Sequence, residues 1–135
     1  MVKDDADECR QLYAELGAHT QSMGDGLFVA NSARIAEGAR SGLANSALIK
    51  LNQVGTVIET LAAIRTCRGN NMTAQISHRS GETPDDFVAD LAVGSGCGQL
   101  KSGAPARGER VAKCNRLLTI AHQQPSLPHS LVDRP

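Results

Sequence analysis

At 135 residues, with 14 basic and 14 acidic side chains, the chain has the length of one domain and no charge bias that would direct it to nucleic acid. The segment from Met1 to Glu8 is acidic and no apolar run approaches ~18 residues, so neither a secretory leader nor a membrane span is predicted, and a cytoplasmic location is the expectation. Cys9, Cys67, Cys97 and Cys114 lie far apart, without a C-x-x-C pair or a histidine at zinc-finger spacing. Their number allows two disulfides, but reduced thiols are the simpler expectation.

From Ala6 to Leu16 the apolar residues fall at the spacing of an amphipathic helix, which Gly17 is placed to stop. Gln21 to Gly24 reads as a weak strand ending at Asp25. A helix then runs from about Ala33 to Gly42, with Asn31 or Ser32 as its cap. Ala47, Leu48 and Ile49 form a short apolar run ending at Lys50, followed by a turn from Asn52 to Gly55. Thr56 opens the clearest helix, with Val57, Leu61, Ile64 and Cys67 along one stripe and Glu59 in its first turn. Thr73 to Ser77 is the next strand, delivering His78, Arg79 and Ser80 at its end.

Thr83 or Asp85 caps a helix through Phe87, Leu91 and Val93. Beyond Gly94, Gly96 and Gly98 a short strand ends at Lys101, and a last helix covers about Glu109 to Ile120. Residues Ala121 to Pro135 hold three prolines and two histidines without a period, the pattern of a flexible tail.

One helix followed by four strand-helix units predicts an α/β fold with a parallel sheet. A complete β/α barrel takes about 250 residues, so the chain supplies about half of one. In such barrels the chemistry sits at the carboxyl ends of the strands, which brings Asp25, Lys50, His78, Arg79, Ser80 and Lys101 to one pole. A carboxylate, two lysines and an Arg-Ser pair after a histidine could hold a small phosphorylated acid. Arginine grips phosphate through two parallel bonds, and lysines crowded near a cation lose protons more readily. Each residue also has a plain use: an aspartate as a turn or cap residue, a lysine as a solvated strand end, a histidine as a loop hydrogen-bonder. Taken singly, none identifies a function.

Four motifs in one order carry more information. Gly24 to Asn31 reads G-D-G-L-F-V-A-N, Lys50 to Thr56 reads K-L-N-Q-V-G-T, Ser77 to Thr83 reads S-H-R-S-G-E-T, and Gly98 to Pro105 reads G-Q-L-K-S-G-A-P. Together they resemble the C-terminal barrel portion of enolase, phosphopyruvate hydratase, over about Gly24 to Ile120. This divides the chain into a start at 1–23, an enolase-like segment at 24–120 and a divergent tail at 121–135. The resemblance implies a partial (β/α) TIM-type barrel and the dehydration of 2-phosphoglycerate to phosphoenolpyruvate.

Within that resemblance Asp25 is one carboxylate on magnesium, and Lys50 is the base that takes the proton from carbon 2. Ser77, His78, Arg79 and Ser80 bind substrate, the last two through its phosphate, and Lys101 pairs with its carboxylate. The family's other metal carboxylates and its general acid have no counterpart in this chain. Gly26 stands where the family has a second aspartate, predicting a looser loop around Asp25. Gln75 replaces an aliphatic strand residue and Gly108 a serine. A half barrel has open sheet edges, so self-association, or association with another enolase chain, is expected. The alternative is a catalytically incomplete enolase fragment acting at most as a phosphate-binding or interaction module.

Overall fold

The computed structural model describes residues 5–127. Its elements are α1 (Ala6–Leu16), β1 (Met23–Gly24), α2 (Ser32–Arg40), β2 (Ser46–Ile49), α3 (Leu51–Val54), α4 (Val57–Gly69), β3 (Thr73–Ser77), α5 (Phe87–Gly94), β4 (Leu100–Lys101) and α6 (Gly108–Gln123). The four strands form one sheet in the order β1-β2-β3-β4, every pair parallel. This is the α/β half barrel that the alternation of strands and helices predicts.

Local chemistry fixes the helix starts. The Asp5 carboxylate accepts the backbone N–H groups of Asp7 and Glu8, Asn31 accepts that of Arg34, and Thr56 accepts that of Glu59. Each satisfies donors that a first helical turn leaves open. Several boundaries differ from the sequence reading. The expected turn at Asn52–Gly55 is the short helix α3, closed by Gly55 at φ 107°. Helix α6 continues past Ile120 to Gln123, so the first residues assigned to the tail are helical, whereas 128–135 lie outside the described residues. Asp86, one residue after the expected alternative, stands at the N-cap of α5 without a side-chain capping bond, and the Asp85 carboxylate accepts the Phe87 N–H instead.

Alternate strand residues turn to opposite faces of the sheet. Ala47, Ile49, Ala74 and Ile76 join Ile35 of α2, Ala63, Ile64 and Cys67 of α4, and Leu91 and Ala92 of α5 in one buried cluster. On the other face the strand starts are polar. Gln21 Nε2 reaches Ser46 Oγ (3.1 Å), Thr73 Oγ1 (2.8 Å) and Gln99 Oε1 (3.1 Å), tying the amino ends of the strands together. All four cysteines are free thiols. Burial, reinforced by the neighbouring Cys97, pushes the Cys67 thiol up to about 11, so it stays protonated at neutral pH.

Phe28, 1% exposed, anchors the loop after β1. A Cβ at Gly24 would lie 2.3 Å from its ring, and one at Gly38 of α2 would lie 2.2 Å from it. These two glycines leave the ring its place, and the Asp25 carbonyl accepts the Val29 N–H at 2.9 Å. The loop around Asp25 is thus tied down despite Gly26. Among the described residues, no helix is long and apolar enough to cross a membrane.

Candidate active site

Because all four strands are parallel, their carboxyl ends share one pole. There Asp25, Lys50, Gln53, His78, Arg79, Ser80 and Lys101 line a cleft of about 380 Å³. Six of the seven site residues expected from the sequence are brought together. The remaining one, Ser77, is buried at the end of β3 and donates its hydroxyl to the His78 carbonyl at 2.9 Å, so it shapes the loop from below the cleft. Gln53 is an addition, standing inside the K-L-N-Q-V-G-T motif. Its Oε1 is buried, with no hydrogen-bond partner among the described residues.

On the β1–β2 side the Lys50 ammonium donates to both Asp25 oxygens at 2.7 Å. Lys50 is 16% exposed and Asp25 39%. The pair closes on itself: a carboxylate and an ammonium neutralise one another, and no second acid among the described residues joins them to form a metal site. Among the described residues no group of three or more histidine, cysteine, aspartate or glutamate side chains is placed to hold a metal ion. Magnesium wants near-octahedral oxygen coordination. A lone carboxylate already engaged by a lysine does not meet that demand, so the described residues do not by themselves fit magnesium.

The β3–β4 side is built differently. His78 is fixed twice by the Lys101 carbonyl, through its own N–H at 2.9 Å and its ring Nδ1 at 2.8 Å. A carbonyl only accepts, so Nδ1 carries the hydrogen and Nε2 is the ring atom open to a ligand. Glu82 Oε1 accepts the Arg79 N–H at 2.8 Å. Lys113 of α6, 1% exposed, meets Glu82 Oε2 at 2.9 Å and donates to the carbonyls of Thr83 and Glu109, each at 2.8 Å. Burial works to raise the Glu82 carboxyl, but the Arg79 N–H and the Lys113 ammonium outweigh it and hold it below the usual glutamate range.

One turn earlier on α6, Arg110 Nη2 donates to the Ser80 carbonyl at 3.1 Å. A Cβ at Gly103 would lie 2.5 Å from the Arg110 side chain, and Gly103 sits at φ 83°, so glycine serves both needs. Glu82, Lys113 and Arg110 escaped the sequence reading. Glu82 lies in the S-H-R-S-G-E-T motif, but only the folded chain brings α6 against it.

A parallel half barrel with a cationic cleft at the strand ends defines the chain as part of a (β/α) barrel domain. The family model described as enolase, C-terminal TIM barrel domain, matches residues 1–127. The chain is 55% identical over 117 residues to an enolase of Bifidobacterium adolescentis, covering 87% of this chain and 27% of that protein. It is 51% identical over 118 residues to an enolase of Tropheryma whipplei strain Twist, covering 87% of this chain and 28% of that protein. The chain belongs to the enolase family. It spans little more than a quarter of the length of these relatives.

Proposed function

We propose that this chain provides the phosphate-holding and proton-abstracting portion of an enolase-type lyase site, for the glycolytic conversion of 2-phosphoglycerate to phosphoenolpyruvate and water. The observation that carries the reading is the charge of the cleft: Lys50, Arg79 and Lys101, with His78, against the carboxylate of Asp25. Such a lining attracts a small polyanion. Arg79 would take the phosphate through two parallel bonds, with Ser80 adding a hydroxyl donor. Lys101 would pair with the substrate carboxylate and His78 would stand beside the reacting centre. Ser77 would act on substrate through the His78 backbone that it holds.

Lys50 would remove the proton from carbon 2. The electron pair of that C–H bond then moves toward the substrate carboxylate, where Lys101 offsets the growing charge; it would return to form the C2–C3 double bond as hydroxide leaves carbon 3, protonated to water by an acid from outside the described residues. To accept a proton Lys50 must first be released from Asp25 and be neutral itself, since at present it donates to both carboxylate oxygens. Enolases generally use magnesium, and Asp25 would offer it one carboxylate. The remaining ligands would come from outside the described residues.

The same Lys50–Asp25 pairing favours a second reading, an incomplete enolase segment that binds phosphate or a partner without turnover. The partners of the first reading are 2-phosphoglycerate and phosphoenolpyruvate, and a cytoplasmic location goes with it. Strands β1 and β4 each pair on one side within this sheet, so self-association or union with another enolase chain is part of the proposal. Size-exclusion chromatography of the purified chain is expected to give oligomers or aggregates. A sharp monomeric peak together with a cooperative melt would contradict that.

The enzymatic reading is tested by following the absorbance of phosphoenolpyruvate formed from 2-phosphoglycerate with magnesium, in the chain and in Lys50→Ala. Turnover that falls about a thousandfold in the variant, the scale of a lost general base, supports it. No turnover in either chain favours the binding module.

A further inference from the structure

Lys113 is a charged residue almost wholly withdrawn from water, on a helix that contributes nothing to the cleft lining. An ammonium has three hydrogens, and all three have acceptors here: Glu82 Oε2, Thr83 O and Glu109 O. Its orientation is therefore fixed. The other oxygen of Glu82 holds the Arg79 N–H. An unbroken chain of contacts thus runs from the middle of α6 to the backbone of the residue that faces the anion.

Burying an ion pair is a poor way to gain stability, because desolvation offsets much of the attraction and apolar replacements of similar bulk are often tolerated. The arrangement makes better sense as a device for geometry and charge. Pinning the Arg79 N–H fixes where its Cα, and so its guanidinium, departs from the loop. Lys113 meanwhile neutralises a carboxylate that would otherwise lie next to the anion site and repel the ligand.

We propose that Glu82 and Lys113 are a positioning pair for the anion site, setting the backbone of Arg79 and Ser80 so that both face the ligand phosphate. The proposal rests on the reading that Arg79 and Ser80 bind that phosphate. Neither member of the pair touches the ligand. Arg110, donating to the Ser80 carbonyl from the same helix, braces the other end of the loop.

The experiment is an NMR titration of the ¹⁵N-labelled full chain with phosphoenolpyruvate, beside the double variant Glu82→Leu/Lys113→Met. That variant removes both charges and keeps the bulk but takes a partner from the Arg79 N–H and the Thr83 carbonyl, so it should stay folded with a smaller loss of melting temperature than Lys113→Met, which leaves the Glu82 charge unpaired. Its affinity should fall about tenfold, by analogy with the loss of an outer partner of a metal ligand, and the Arg79 amide should exchange with solvent faster. Equal affinity in parent and folded double variant overturns the inference while leaving the phosphate site intact. A parent chain that does not bind phosphoenolpyruvate sinks the site reading itself, and this inference with it. Should the double variant fail to fold, Glu82→Gln replaces a charge-assisted bond with a weaker neutral one. It is expected to speed Arg79 amide exchange about tenfold, and unchanged exchange there overturns the proposal.

Discussion

The loop after β1 and the loop after β3 both border the cleft, yet the Asp25 side chain of the first has one partner residue, Lys50, whereas the second is braced by a network reaching from α6. Asp25 meets Lys50 and nothing further among the acids of the described residues. Arg79 and Ser80, by contrast, are fixed through their backbones by Glu82 and Arg110, and Glu82 in turn by Lys113. The difference separates two functions that a complete enzyme would combine. The side proposed to hold phosphate carries its own supports within this chain, whereas Lys50, the proposed base, is paired to a carboxylate, with no group of three or more acids, histidines or cysteines placed around a metal among the described residues. On the proposed reading, binding of a phosphorylated ligand therefore asks less of this chain than turnover does.

Stability measurements can break this contrast. Lys113→Met leaves the Glu82 carboxylate, 15% exposed, without its cation. It should cost about 3 kcal/mol in urea unfolding, as expected when one member of a buried pair is removed. Asp25→Asn leaves Lys50, 16% exposed, without its anion but keeps an acceptor oxygen for its ammonium at the edge of the open cleft, where Asp25 is 39% exposed, so it should cost less than about 1 kcal/mol. Comparable losses in the two variants would mean that the sides are equally supported, and the contrast would fail.

Much of this was legible in the sequence because strand ends and caps are local. The sequence reading of α1 and β3 matches the structure at both ends, since Gly17 stops one helix and the Thr73–Ser77 run is bounded by turn residues. The six cleft residues were legible for a related reason. In a parallel sheet, whatever follows each strand arrives at the same pole. The remainder depended on distance along the chain. Lys113 lies 30 residues from the Thr83 carbonyl that it bonds, and its position on α6 reads as an ordinary helical lysine. Ser77 illustrates the converse: the motif names it, but its place as the last residue of β3 turns its hydroxyl to a backbone carbonyl. The Lys50–Asp25 contact, too, emerges only when β1 and β2 lie side by side.

The most direct test of the central claim is the affinity of the full chain for phosphoenolpyruvate against that of Arg79→Ala, read from the Arg79 and Ser80 region of the NMR spectrum. Loss of a bidentate, charge-assisted contact of about 2.7 kcal/mol should weaken binding roughly a hundredfold. Saturable binding by the parent and near-complete loss in the variant are the predicted result. Equal binding by both chains would contradict the assignment of this cleft as the phosphate site.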